Sequence, residues 1–186
     1  MPDAVRHSVF EGCALPDTAR VAVAPCAFAT RFVLRGGVDV VGPVARVFDA
    51  APPLLPLQSR ISGARAALWM SPDEWLLLDE ACEPDLGARL EAALGGVAHA
   101  LIDVSHRNGG LEITGEGAER LLNAGVNLDL HSSAFPVGMV VRTLLVKADI
   151  VLWRRETRCF RVETTRSFGP YVAAILSKAA SDQGLC

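Results

Sequence analysis

The 186-residue sequence reads as an α+β protein of two ferredoxin-like units with mainly antiparallel sheets. Three observations predict this. Strand-type runs come in adjacent pairs joined by turn residues, as hairpins do. The order strand, helix, hairpin, helix, strand passes once through the first half and is partly repeated in the second. Near the C-terminus Phe168, Tyr171, Val172, Ile175, Leu176 and Ala179 recur at helical spacing, with Pro170 in the first turn. The chain divides into an arm (1–20), a first unit (21–105) and a second unit (106–182) that forms one compact domain with the first.

In the first unit, residues 27–34 read as a strand ended by Gly36-Gly37. Val40, Val41, Val44, Val47 and Phe48 predict a helix over 38–49, which Pro43 opposes because an interior proline removes a donor and clashes with the preceding turn. Residues 50–63 are a proline-rich connector whose Pro53 and Pro56 make a P-x-x-P, more in keeping with an extended link than with a ligand for an adaptor domain. Ala64–Met70 and Glu74–Leu78 form a hairpin turned by Ser71-Pro72-Asp73. Pro84 opens a helix with a stripe of Leu86, Leu90, Ala93 and Leu94, stopped by Gly95-Gly96. Val97–Val104 reads as a buried strand.

The second unit starts with a strand at Gly110–Thr114 and a helix at Glu116–Ala124. Met139–Val146 and Asp149–Arg154 make a hairpin, Cys159–Thr165 adds a strand, and the periodic helix closes the unit.

Composition narrows the function. A net charge of −3 disfavours nucleic acid, whose binders need a basic face. Five cysteines, an odd number with no C-x-x-C pair, fit reduced cytoplasmic thiols rather than a disulfide framework or a zinc ribbon. The N-terminal stretch carries Asp3, Arg6, His7 and Glu11 instead of a signal's apolar run, and no stretch is long enough for a membrane span. The apolar fraction is 51% and the mean hydropathy +0.30. Either an Ala/Val/Leu-rich background or an apolar surface covered by another subunit accounts for that.

The search for chemistry returns little. His7, His99, His106 and His131 lie at no metal-ligand spacing from one another or from a cysteine. Ser105 and His106 are adjacent, so on an extended strand they point to opposite faces and cannot share the hydrogen bond of a nucleophile and its base. Asp103 and Ser105 are better placed to satisfy backbone donors in a turn at Gly109-Gly110. Gly115-Glu116-Gly117 occupies the position of a phosphate loop, but Arg120 replaces its third glycine, and Glu116 and Glu119 would repel a pyrophosphate. Those glycines fit a tight strand-to-helix turn. Trp69, Trp75 and Trp153 sit on strands, where core packing or an interface anchor is commoner than stacking on a flavin or pterin. Arg154, Arg155, Arg158, Arg161 and Arg166 form the one local basic run, read as a solvated face or a contact for an acidic partner. No catalytic, cofactor-binding or metal-binding residue is assigned.

A resemblance adds what the spacing does not. Leu101 to Gly125, with Asp103-Val-Ser-His106 before a strand and the Gly115–Ala118 turn before a helix, is similar to the folate-binding aminomethyltransferase superfamily, as in the glycine-cleavage T-protein. The chain more closely resembles the gamma-subunit family of heterotetrameric sarcosine oxidase. The residues that carry this are Asp103–Asn108, Leu122–His131, Ala134–Gly138, Arg142–Trp153, Arg166–Val172 and, in the first half, Ala67–Leu76. The resemblance implies a non-catalytic subunit with alpha, beta and delta partners, packed mainly on alpha. It implies an oxidoreductase complex that demethylates sarcosine to glycine, with FAD, FMN, NAD and tetrahydrofolate held by the other chains. Trp69, Trp75, Ser105, His106, Arg107, Asn108, Arg142 and Lys147 are the expected interface residues. One departure from the superfamily stands out: the hairpin at Leu145–Val151 is too short for the Gly-Gly-x-x-Asp-Asp pattern of the transferases, and Asp149 alone remains. That counts against the alternative of a free-standing folate-binding or aminomethyltransferase-like protein.

Overall fold

The computed structural model describes residues 7–185. Among these, ten strands form two five-stranded sheets in which every pairing is antiparallel. One sheet holds β2 (Thr30–Gly36), β3 (Ser59–Ser62), β4 (Arg65–Ser71), β5 (Glu74–Asp79) and β6 (His99–Asp103), in the order β3-β4-β5-β2-β6. The other holds β1 (Ala22–Pro25), β7 (Asn108–Thr114), β8 (Val140–Leu145), β9 (Ala148–Glu156) and β10 (Cys159–Thr165), in the order β1-β7-β10-β9-β8. The helices are α1 (Val41–Phe48), α2 (Leu86–Leu94), α3 (Ala118–Asn123) and α4 (Gly169–Asp182).

Strand alternation divides each sheet into two faces. On the first sheet, Phe32, Leu34, Ala67, Trp75 and Leu77 pack against Val44 and Phe48 of α1 and Leu86, Leu90 and Leu94 of α2. On the second sheet, Leu111, Ile113, Ile150, Leu152, Phe160 and Val162 pack against α3 and α4. The opposite faces meet each other: Ala66, Leu68, Leu76 and Leu78 touch Val140 and Trp153. The layers therefore run helix, sheet, sheet, helix, with three apolar clusters between them.

The α+β reading and its antiparallel hairpins hold, and the differences have local causes. Pro43 sits in the first turn of α1, where backbone N–H groups have no intrahelical partner, so its missing donor costs little. The connector at 50–63 ends in a strand, β3, that its proline content conceals. Residues 22–25, grouped by sequence with the first unit, pair instead with β7 in the second sheet. The run read as a buried strand at Val97–Val104 is the outer strand β6, and Ala100, Ile102 and Asp103 on it are exposed. Its apolar composition resembles a central strand, but only tertiary position decides which strand ends a sheet.

Gly109 and Gly110 do not form a turn; they lie inside β7. A Cβ on Gly110 would meet a Glu163 carboxylate oxygen at 2.7 Å, and one on Gly109 would meet the Val9 side chain at 3.0 Å. These glycines make room for neighbours on either side of the strand.

The Gly115–Gly117 turn does behave as a strand-to-helix device. Gly115 has φ of +110°, and a Cβ there would lie 2.3 Å from the Arg20 carbonyl oxygen. That same carbonyl accepts a 2.9 Å hydrogen bond from the Gly117 N–H. Gly115→Ala is expected to destabilise the fold by about 3 kcal/mol through backbone strain and overpacking against a main-chain atom. Thermal unfolding of the variant checks this, and an unchanged midpoint would refute it.

Candidate subunit interface

The turn between β6 and β7 is fixed by its own polar groups. Asp103 accepts a hydrogen bond from the Ser105 N–H at 2.8 Å, and Ser105 Oγ accepts one from the Arg31 N–H at 2.9 Å. The Arg107 and Asn108 N–H groups both donate to the Val104 carbonyl. The Arg107 carbonyl in turn accepts the Arg166 N–H at 2.8 Å, tying the turn to the segment that enters α4. Asp103 thus satisfies a backbone donor of the turn as expected, although the turn precedes β7 instead of lying at Gly109-Gly110, whereas Ser105 satisfies a donor on β2, outside the turn. Ser105 Oγ bonds to Arg31's backbone, while the exposed His106 ring lies 5.8 Å from the Phe28 ring.

A cavity lies on each side of this turn. One, of about 540 Å³, opens between the sheets and is lined by Arg35, Glu74, Arg107, Asn108, Arg142 and Asp149 over an apolar floor that includes Val33, Met70 and Leu76. The other, of about 470 Å³, is lined by Phe10, Phe28, His106, Asn108 and Arg166. Asn108 borders both.

Behind the turn a buried ion network joins the halves. Glu163 on β10 accepts two bonds from the Arg31 guanidinium of β2, at 2.8 and 3.1 Å, and a third from Arg161 Nε at 2.7 Å. Arg161 also bonds Glu80, which Arg155 approaches at 3.3 Å. Burial alone would push the Glu163 carboxyl up, but Arg161 and Arg31 outweigh it and hold it below the ordinary carboxylate range. Burial opposes the charge on Arg161 too, and Glu163 reverses that, holding the guanidinium above its usual value. At the outer rim Glu74 bridges Arg35 and Arg142, a second ionic link between the sheets.

These placements revise several sequence expectations. Trp75 is 1% exposed, and its Nε1–H donates to the Pro53 carbonyl at 2.8 Å, so it offers no surface to a partner. Ser105 is likewise buried. Trp69 packs against the helix-side cluster of the first sheet, away from the cavity that Arg107, Asn108 and Arg142 share. Lys147 is exposed in the turn between β8 and β9. Trp153 is buried between the sheets, with its Nε1–H on Ser59 Oγ at 3.0 Å, so its ring has no open face for a flavin or pterin.

The basic run does not form one solvated face: Arg158 and Arg166 are exposed and Arg155 is half-buried, but the other two arginines are not. Arg154 and Arg161 are each 1% exposed. Arg154 donates to the Leu130 and Phe135 carbonyls at 2.9 and 3.0 Å and lies 4.9 Å from the Phe160 ring centre. Sequence reasoning also missed Asp149, Glu74 and Ile102 as cavity residues, since each is set there by pairing between distant strands. Among the described residues, no three His, Cys, Asp or Glu side chains are grouped to hold a metal ion. Burial pushes the Cys26 thiol up to about 11 and the Cys159 thiol up to about 12, so neither is a ready thiolate at neutral pH.

Comparison with known proteins first places the fold. The chain matches the glycine cleavage system aminomethyltransferase T from Bartonella henselae with a TM-score of 0.65 and 15% identity, over 85% of this chain and 45% of that one. It therefore has the fold of part of an aminomethyltransferase. A chain of the heterotetrameric sarcosine oxidase from Corynebacterium sp. U-96 matches with a TM-score of 0.86 and 26% identity, over 95% of both chains. The model of the sarcosine oxidase, gamma subunit family matches residues 44–182. Sarcosine oxidase subunit gamma of Corynebacterium sp. (strain P-1) is 32% identical over 161 residues, 84% of this chain and 78% of that protein. The Arthrobacter sp. subunit gamma is 34% identical over 134 residues, 69% of this chain and 64% of that protein. The chain belongs to the sarcosine oxidase gamma subunit family.

Proposed function

We propose that this chain is a non-catalytic gamma subunit that supports oxidative demethylation of sarcosine to glycine by alpha and beta subunits of a heterotetramer. The enzyme would be an oxidoreductase acting on CH–NH donors. The observation that carries this reading is the match over 95% of both chains to a chain of the solved heterotetramer. The site's chemistry agrees with a supporting role: its buried arginines are held in ion pairs, Arg31 and Arg161 with Glu163 and Arg161 also with Glu80, and burial pushes the Cys26 thiol beside the turn well above neutral pH.

The alpha subunit is the main partner in this reading, with beta and delta completing the complex in the cytoplasm. FAD, FMN, NAD and tetrahydrofolate belong to the partner chains. Among the described residues no helix is long and apolar enough to cross a membrane. Of the expected interface residues, Trp69, His106, Arg107, Asn108, Arg142 and Lys147 have exposed or half-buried side chains and remain in the proposed contact surface.

Co-expression with candidate alpha, beta and delta chains tests this, followed by size-exclusion chromatography with sarcosine-dependent peroxide assayed on the peak. The expected result is co-elution of this chain at equal stoichiometry with an active yellow complex. A fully active complex that assembles without it, leaving this chain as a free monomer, would overturn the reading.

A further inference from the structure

Two arginines at the seam between the halves stand apart from the rest. Arg31, Arg35, Arg142, Arg155 and Arg161 each lie within 4.0 Å of a carboxylate. Arg107 and Arg166 are exposed, and neither has an ion pair among the described residues. The Arg107 side chain donates only to Asn108 Oδ1, at 3.2 Å. The main chains of the two arginines are joined by the hydrogen bond from the Arg166 N–H to the Arg107 carbonyl. They line different cavities, Arg107 the one between the sheets and Arg166 the one beside it. The result is a cationic ridge with a hollow on each side, the first with an apolar floor and a charged rim that includes Asp149, the second with Phe10 and Phe28 in its wall, on a chain whose net charge is −3.

Next to the ridge lies β6, the last strand of its sheet, paired with β2 alone. Ile102 on this strand is 53% exposed and lines the first hollow. An outer strand with an exposed apolar side chain offers an extended peptide a row of backbone donors and acceptors. Charge without a counter-charge attracts a partner of opposite sign.

We propose that this ridge seats an acidic, extended segment of a partner subunit. Carboxylates of that segment pair with Arg107 and Arg166, its backbone runs along β6, and its apolar side chains enter the two hollows. This rests on the subunit reading and adds to it the place and chemistry of the contact.

The test uses the co-expressed complex. The double variant R107E/R166E is expected to weaken assembly about tenfold or more at moderate salt, and each single reversal less. R107K/R166K should assemble nearly as wild type does. R46E, a reversal at an exposed α1 arginine away from the ridge, should have no effect and controls for net charge. Thermal midpoints of the variants are expected to stay at the wild-type value because both side chains are exposed. In the R107K complex, a water-soluble carbodiimide should form an amide between the introduced amine and a partner Asp or Glu. Mass spectrometry of the crosslinked peptide then identifies the acidic segment.

Wild-type assembly by R107E/R166E would overturn the proposal. So would binding of a small organic anion by the purified chain that is lost in R107E/R166E while assembly is kept, since the ridge would then be a small-ligand site. Failure of the wild-type chain itself to assemble would remove the subunit reading and this seat with it.

Discussion

Glu163→Leu is expected to destabilise the fold by about 3–5 kcal/mol, because it leaves two buried guanidinium groups without their carboxylate. Glu163 and Arg161 are each about 1% exposed and Arg31 about 2%, so water cannot take over the lost bonds. For a chain of this size the loss corresponds to a fall in Tm on the order of 10 °C. Differential scanning calorimetry of the variant measures it, and a shift of only a degree or two would show that the network is not under load. Because Arg31 and Arg161 share one carboxylate, the effects of Arg31→Met and Glu163→Leu should not add. A double-mutant cycle is expected to give a coupling of about 1–3 kcal/mol.

The same carboxyl sets a pH dependence. Its folded pKa lies below the ordinary value, so the unfolded chain binds the proton more readily. The stability it contributes is full above the unfolded value near ~4.3 and is lost as pH falls through the depressed folded value. Wild-type stability should therefore decline in acid below about pH 4, and Glu163→Gln should have a shallower acid limb.

Much of the fold could be read locally. Cys159–Thr165 is recovered as a strand to the residue, and Val172, Leu176 and Ala179 of the periodic stripe lie on the face that α4 packs on its sheet, with Tyr171 and Ile175 half-buried at its edge and Phe168 exposed before the helix. Alternation and helical period are properties of a few neighbouring residues, so the sequence carries them directly. What it does not carry is which strand lies next to which. Ile102 looks as buried as Leu77 on composition, yet β6 ends its sheet while β5 lies between two strands. Arg161 looks as solvated as Arg158, yet strand alternation and the facing sheet put Arg161 over Glu163 while Arg158 is exposed in the adjoining turn.

The candidate site divides in the same way. The Ser105–Asn108 turn was marked by its residues and by the family they resemble, and it does border both cavities. Its neighbours Arg35, Glu74, Asp149 and Arg166 come from other strands and from the segment before α4, far away in sequence. Only the packing of two sheets brings them together. Trp75 shows the opposite error. A tryptophan is a good interface anchor on average, but the same indole is an equally good core anchor when a carbonyl is in reach.

Trp75→Ala gives a direct measure of that second role. It is expected to cost about 3–5 kcal/mol from the cavity and lost apolar contact among Phe32, Leu34, Phe48 and Leu77. The Pro53 carbonyl also loses its donor, at about 1 kcal/mol or more in a buried setting. Trp75→Phe keeps most of the ring and removes the N–H, so it should isolate the smaller share. The hydrogen bond to Pro53 pins the proline-rich connector to the sheet, and the alanine variant should therefore also expose residues 50–57 to proteolysis before the strands are cut. The two roles differ in what they predict for the separated chain. A core residue lowers its thermal midpoint, with assembly falling only as far as the folded fraction does. An interface residue would leave the midpoint alone and weaken assembly directly. With 1% of Trp75 exposed, the first pattern is the expected one, and the second would mean that the indole leaves the core on binding.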